Sequence, residues 1–540
     1  MIKHIYKIFL FAGILHGTVL LSSCNDFEEL NRNPTTAAKV NPNTQLTYIQ
    51  LRTWGDWGPN YTYFSYISSF TQHLQGEWNN VQFGGQYRRD NERTKILWDN
   101  TYQSSIKNIV DVLSNTEDEP QFRNVRAIVR IMRVYYYMIL TDIYGDIPYF
   151  EGGKGYADRN PTPAYDLQED IYKDFLKELK EAENELNEDG GIVTGDIMYE
   201  GDINKWKRLA NSLRLRASMR LVYVDPALAK SEVADVLSAA SGLMNNSENA
   251  VVKYLDINSW EGTEIRRNAL AQSWRSRETY PNQFICSVFW NYLKDTEDPR
   301  LFRLARCYEE IPAAENNPFA RVDLTDEIMA LMGWNLFQPC EPGWFWYNRW
   351  PSGYMSPTTN SWIAKACRPQ VSNDFLRGDV PGVIYTYAET QFLLAEVAVR
   401  WPDLISVTAE NLYANGVTSA MNFLLNYKVK AYSNNEISNY LTKNPFPSES
   451  EKRLKAINEQ LWILHFNNPP EAYSNWRRSG YPELKPSGEY GAVTIESQEI
   501  PRRLNYPLDE ARYNKEELDK ALERIGGFDN WNAKVWWDKK

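Results

Sequence analysis

Histidine is nearly missing from this chain: there are four in 540 residues. His4 and His16 lie in a leader expected to be removed. Only His73 and His465 remain, too few for a zinc centre or a histidine-activated nucleophile of any usual design. Cysteine is scarce as well, with five in the chain and no two at CxxC spacing. Beyond Cys24, the residues Cys286, Cys307, Cys340 and Cys367 allow at most two bridges, in three possible pairings, and a chain of this length does not need them to fold. No block of lysine and arginine offsets the net charge of −11, so a phosphate backbone would be repelled and nucleic acid is excluded as a partner. Long apolar runs are absent except at residues 8–21, which fall short of the roughly 20 residues needed to cross a bilayer core. Neither a metal nor a cofactor is expected.

That one apolar run carries information. Lys3 and Lys7 precede it, and Leu21-Ser22-Ser23-Cys24 follows it. A basic start, an apolar stretch and a small-residue cleavage site make a secretory signal, and the cysteine placed directly after the cleavage site is the nucleophile that bacterial lipoprotein processing modifies. The expectation is a signal peptide over 1–23, lipidation at Cys24, and a lipid-anchored tether over 24–45, where Asn31-Arg32-Asn33-Pro34 interrupts any apolar period. The rest, 46–540, reads as a single globular body.

Within that body the apolar residues recur at spacings of three and four. Trp98, Tyr102, Ile106, Ile109 and Leu113 mark a helix over 96–113. Ile128, Met132, Tyr135 and Ile139 mark one over 125–144, which Gly145 and Pro148 bring to an end. Ile171, Phe175, Leu179, Ala182 and Leu186 form a third stripe. Trp206, Leu209, Leu213 and Ala217 form a fourth, whose basic residues Lys205, Arg208, Arg216 and Arg220 suggest a solvated or ion-paired face. Residues 385–399 and 409–425 read as another helical pair, with Ala388, Ala395 and Ala398 permitting close approach, and 457–466 as a later helix. Residues 54–60, with two glycines and a proline, read as a turn. The fold class is therefore all-α, with a loop-rich insertion over about 330–382.

Aromatic content runs the other way from histidine. Nineteen Trp and 34 Tyr exceed what a helical core requires, and both residues join an apolar face to a polar handle. Two clusters fall on segments without helical period. Trp78, Asn79, Phe83, Tyr87 and Arg88 sit among glycines and asparagines, and Trp334, Trp344, Trp346 and Trp350 crowd the long insertion. Long loops in a compact body are usually functional. A flat ring beside amide or guanidinium groups suits a sugar, which presents an apolar face and a polar rim, so these nine residues are the candidate ligand contacts.

Several motifs stand in one order along the chain. Cys24-Asn25-Asp26 comes first, then Tyr135-Tyr136-Tyr137 running into Asp142-Ile143-Tyr144-Gly145-Asp146-Ile147-Pro148-Tyr149, Tyr165-Asp166-Leu167-Gln168, the run from Trp206 to Arg216, and Asp298-Pro299-Arg300-Leu301. Tyr387-Ala388-Glu389, Trp476-Arg477-Arg478-Ser479-Gly480-Tyr481-Pro482 and Ile500-Pro501-Arg502-Arg503 complete the series. Together they resemble the SusD/RagB-like family of nutrient-binding outer-membrane lipoproteins of Bacteroidota, closest to its SusD-like branch. The resemblance implies a helical fold with tetratricopeptide-like pairs as scaffold and loops as ligand surface. It also implies a cell-surface, outer-membrane location and a SusC-like TonB-dependent barrel transporter that receives captured oligosaccharide, or peptide in some branches.

No catalytic set is read from the motif residues. Asp142 and Asp146 lie in a helix-ending turn. Glu389 and Glu396 share one helix face, whereas a glycoside hydrolase, the less favoured alternative, needs carboxylates converging from opposite sides of a bond. Arg477, Arg478, Arg502 and Arg503 are expected to satisfy carboxylates or helix ends inside the body.

Overall fold

Helices in this chain form where caps and apolar stripes coincide, and the computed structural model describes them over residues 40–76, 80–155, 159–275, 284–310, 321–343, 368–433, 435–492 and 497–540. Helices of eight residues or more are numbered here. They are α1 (Pro42–Gly55), α2 (Asn91–Asn100), α3 (Lys107–Asn115), α4 (Arg123–Tyr144), α5 (Gln168–Glu185), α6 (Ile203–Arg220), α7 (Pro226–Ser238), α8 (Ser287–Asp295), α9 (Thr325–Met332), α10 (Tyr387–Arg400), α11 (Ala409–Phe423), α12 (Glu436–Lys443), α13 (Ser450–Leu464), α14 (Pro469–Ser479) and α15 (Lys515–Glu523). The strands are β1 (Leu74–Gln75), β2 (Ala250–Val252), β3 (Phe284–Ile285), β4 (Ala305–Arg306), β5 (Tyr308–Glu310), β6 (Arg321–Asp323), β7 (Gln370–Val371) and β8 (Gly382–Tyr385). The body is mostly helical, as the resemblance implied. Cys24, the leader, residues 24–39 of the tether, Trp78, Asn79, Trp344, Trp346, Trp350 and Cys367 lie outside the described residues.

Neighbouring helices pack in sequence. α3 lies against α4, α4 against α5, α5 against α6, and α6 against α7. α10 packs on α11 and α13, and α13 on α14. Side-chain caps set the starts: Asp202 accepts from the backbone N–H of Asn204 and Lys205 at α6, Thr386 from Glu389 at α10, and Thr408 from Asn411 at α11. The contact between α10 and α11 depends on Gly416, where a Cβ would stand 2.6 Å from the Phe392 ring. The stripe residues of α4, α5 and α6 are buried, except half-buried Ile139.

Residues 54–60 are not a turn. α1 runs to Gly55, and Asp56 caps a short helix, Trp57–Thr62, by accepting from Gly58 N–H at 3.2 Å. Gly55 is there for close packing, since a Cβ would meet the Ile265 carbonyl at 2.0 Å. The helix expected over 96–113 is interrupted as well: a π turn, Thr101–Ile106, separates α2 from α3 and rotates the stripe.

Two small sheets matter for position. β1, β3, β7 and β4 hydrogen-bond in that order, with Gln75 opposite Phe284 and Phe284 opposite Gln370. β5 pairs with β6. Short as they are, these strands join chain near residues 74, 284, 305 and 370, and β3 leads directly into α8.

Candidate functional site

A cleft of about 960 Å³ opens where α8, the turn after it, β4–β6 and the segments at 372–374 and 430–436 meet. Its size is that of a small-molecule site. Trp334 stands in its wall, in a 3-10 turn (Gly333–Leu336) that follows α9. At 40% exposure it is the one exposed tryptophan among the described residues. The rest of its cluster explains how a large apolar ring is held in water. Phe302 lies parallel to Trp334, with 5.5 Å between centroids and 11° between planes. Trp290 on α8 and Phe337 meet it at 6.2 and 5.9 Å, and these two stack on each other at 5.2 Å. The result is a backed, rigid platform.

Polar groups face it across the cleft. The Arg303 guanidinium carbon stands 3.8 Å from the centre of the Tyr432 ring, and Arg303 donates to the Lys430 and Ala431 carbonyls at 2.7 and 2.9 Å and to Glu436 at 3.1 Å. The buried Tyr432 hydroxyl has no hydrogen-bond partner among the described residues. Arg306 is paired with Asp323 at 2.6 Å. Asp374 accepts from the Ser372 hydroxyl at 3.3 Å, and burial raises its carboxyl against that hydrogen bond and the nearby Arg377 and Arg306. An aromatic platform beside a carboxylate with acceptor capacity to spare makes a surface for a ligand with one apolar face and several hydroxyls, while Arg303 and Tyr432 hold the opposite wall in place.

Of the other sequence candidates, Phe83 is half-buried, with the Arg93 guanidinium 3.9 Å above its ring. Tyr87 is buried at positive φ, and its hydroxyl accepts from the Ser487 N–H at 2.9 Å. Arg88 is exposed, and its backbone N–H donates to the Phe83 carbonyl at 2.8 Å. The structure does bring the two aromatic segments together at their described ends. A Cβ on Gly343, the residue before Trp344, would stand 2.8 Å from the Gly85 carbonyl and 2.7 Å from Ser487 Cβ. Phe302, Arg303, Asp374 and Tyr432 were not singled out from sequence. Only Phe302 had a signal, being next to the Asp298-Pro299-Arg300-Leu301 motif.

The motif carboxylates are locked away from this cleft. Asp142 accepts from the Tyr172 hydroxyl at 2.5 Å and the Trp537 indole at 2.9 Å, and burial raises it despite Arg220. Asp146 caps α5 at Gln168 N–H and pairs with Arg524. Glu389 takes both Nε and a terminal nitrogen of Arg216 at 2.6 and 2.7 Å. Burial alone would raise Glu389, but Arg216 and His465 outweigh it and hold it low. Arg216 and Arg220 of α6 are therefore buried partners, not a solvated face, because acids on α4, α10 and α14 reach them. Arg478 pairs with Glu396, Arg502 with Asp538 and Arg503 with Asp529, while Arg477 donates to the carbonyls of Tyr473 and Arg502. His73 is sealed against Trp462, 4.9 Å away, and its Nε2 bonds the Trp462 carbonyl.

A scaffold of packed helices whose motif acids are tied up in ion pairs, and whose open cleft is floored by an aromatic platform, is that of a ligand-binding protein. The chain belongs to the SusD-like family: the family model described as "Starch-binding associating with outer membrane" matches residues 34–318 and 346–507. Among solved structures, a Bacteroidetes AC2a SusD-like protein is 34% identical with a TM-score of 0.87, and a chitin-binding protein is 33% identical with a TM-score of 0.77. Each match covers 93% of this chain and 100% of the other. A SusD homologue from Bacteroides fragilis, 23% identical over the same shares with a TM-score of 0.67, has the same fold. Comparison with curated protein sequences finds no match. Among the described residues, no helix is long and apolar enough to cross a membrane.

Proposed function

We propose that this protein captures oligosaccharides at the Trp334 cleft without cleaving them and, held at the cell surface by lipid on Cys24, delivers them to a SusC-like TonB-dependent barrel transporter in the outer membrane. The observation that carries the reading is the exposure of Trp334 on a backed platform, when every other described tryptophan is buried or half-buried. A ring held this way offers its face to the apolar side of a sugar at no ordering cost on binding. Membership of a family described as starch-binding, and a 33% identical structure named as chitin-binding, support a glycan as the ligand class. Phe83, Arg88, Trp78, Asn79, Trp344, Trp346 and Trp350 are proposed to extend the surface, and Tyr87 to hold their loop through Ser487. The close approach of Gly343 to Gly85 supports this grouping.

Affinity electrophoresis through gels containing starch, chitin fragments and other glycans tests the reading. Retention by at least one glycan is expected, weakened by Trp334→Ala and separately by Trp78→Ala combined with Trp344→Ala. Undiminished retention in all variants, or shortened products after incubation, would overturn it. Co-purification of a barrel transporter from detergent-solubilised outer membrane tests the delivery step, and fatty-acid labelling lost in Cys24→Ser tests the anchor.

A further inference from the structure

One helical turn, Leu301–Leu304, reaches both walls of the cleft. Phe302 lies parallel to the Trp334 ring, and Arg303, the next residue, turns to the segment 430–433. Every N–H of the Arg303 guanidinium is in use. Nε donates to the Lys430 carbonyl at 2.7 Å. One terminal nitrogen donates to the Pro299 carbonyl at 2.5 Å and to Glu436 at 3.1 Å, and the other to the Ala431 carbonyl at 2.9 Å and to Glu436 at 3.1 Å. No donor is left over for a ligand. Among the described residues, no other side chain hydrogen-bonds the carbonyls of Lys430 and Ala431, and Glu436 in turn accepts from the Ser433 N–H at 2.6 Å.

The turn itself is anchored. Arg300 is buried, with Nε and one terminal nitrogen on Asp298 at 2.9 and 2.5 Å, and that terminal nitrogen also donates to Gln460 of α13 at 2.8 Å.

We infer that Arg303 is a positioning residue that sets the width of the cleft, and with it which glycans enter. The inference rests on the reading of the Trp334 cleft as the glycan site. Because Phe302 and Arg303 are consecutive on an anchored turn, one short stretch of backbone fixes how far the platform stands from segment 430–433. A planar guanidinium can hold three carbonyls and a carboxylate at once, whereas a lysine ammonium has three donors and no fork. With the gap held, a chain of unsubstituted rings fits and one carrying bulk on its rings collides with the wall. That discrimination disappears once the wall is free to move.

The test is affinity electrophoresis of the full-length protein through gels containing soluble starch or hydroxyethyl starch, and chitin fragments or hydroxyethyl chitin. The substituted polymers keep the same linkages and add neutral bulk. The wild type is expected to be retained more by the unsubstituted form of the glycan it binds. In Arg303→Lys, retention by that form should weaken about three- to tenfold, as for a lost hydrogen bond to a charged group, and its preference over the substituted form should shrink by a similar factor. Glu436→Gln, which leaves the guanidinium and its carbonyl bonds in place, should move both in the same direction by less, and it carries the comparison alone if Arg303→Lys does not fold. Hydrogen exchange should quicken around 430–433 in both variants and stay unchanged around Phe302 and Trp334. A faster-exchanging segment with the preference intact, unchanged exchange in the variants, or equal retention of both glycan forms by the wild type would overturn the inference. Retention that is lost in Trp334→Ala, with the preference unaltered in Arg303→Lys, leaves the cleft as the glycan site and removes Arg303 from the selection. No retention of the wild type by any glycan removes both.

Discussion

Arg478 holds Glu396 through two nitrogens, at 2.7 and 2.9 Å, between α14 and α10, and neither side chain reaches solvent. Arg400, one turn along α10, takes the same carboxylate at 2.8 Å, and Asn458 and Asn475 occupy further donors of Arg478 at 2.7 Å each. Glu396→Ala would leave a buried guanidinium without its counter-charge. Urea unfolding should show a loss of about 3–5 kcal/mol, with glycan retention by the remaining folded protein unchanged.

Acid should weaken the fold in two successive windows. Burial lowers His73 to about 3 against the hydrogen bond to the Trp462 carbonyl, so the native ring stays neutral while the unfolded ring protonates near 6.5. Stability is then lost as pH falls from about 6.5 towards 3, at about 1.4 kcal/mol per unit for one proton. Glu396 adds to this below 4.5: burial raises it, but Arg478 and Arg400 prevail and hold it at about 2. Its contribution is complete above 4.5 and disappears as pH falls through about 2. Urea midpoints measured from pH 7.5 to 2.5 should follow this curve, and His73→Asn should flatten its upper part.

Trp334→Ala should weaken glycan retention about fivefold, equivalent to roughly 1 kcal/mol for a lost stacking surface, with little change in unfolding temperature. Phe302→Ala should do both, since Phe302 backs the platform from inside the packed cluster. Titration calorimetry beside thermal melts separates the two effects.

Asp374→Asn should weaken binding of the same glycan by about three- to tenfold and change the melt little, because beyond the long Ser372 contact its carboxylate has capacity to receive sugar hydroxyls and an amide receives fewer, as expected for one charged hydrogen bond exchanged for a neutral one. Calorimetric titration against the wild type checks it.

Gly343→Ala should destabilise the protein by about 1–3 kcal/mol, because φ is +74° and the new Cβ would press on Ser487, Gly85 and Ala492 at 2.7–2.9 Å. Weakened retention of glycans that depend on Trp78 and Trp344 is expected with it.

Periodicity made α4, α5, α6 and α10 legible, because a stripe such as Ile128, Met132 and Tyr135 records which face is buried. The π turn at Thr101–Ile106 was not, since an extra residue in one helical turn leaves no mark in composition. Arg216 and Arg220 show the same limit for charge. Their partners Glu389 and Glu471 lie 173 and 251 positions away, and a buried arginine looks like a surface one until the fold brings its acid to it. In the cleft, Trp334 could be found because a tryptophan among glycine and asparagine is out of place in a core. Asp374 and Tyr432 could not, as each is ordinary in its own segment and becomes notable only opposite Trp334.

Asp142 waits for a partner 395 positions downstream, the indole of Trp537. Tyr172 and Arg220 reach the same carboxylate from α5 and α6, so a single buried acid ties three helices to the segment that carries Trp537, and loss of that segment would leave one of its acceptor positions open in the core.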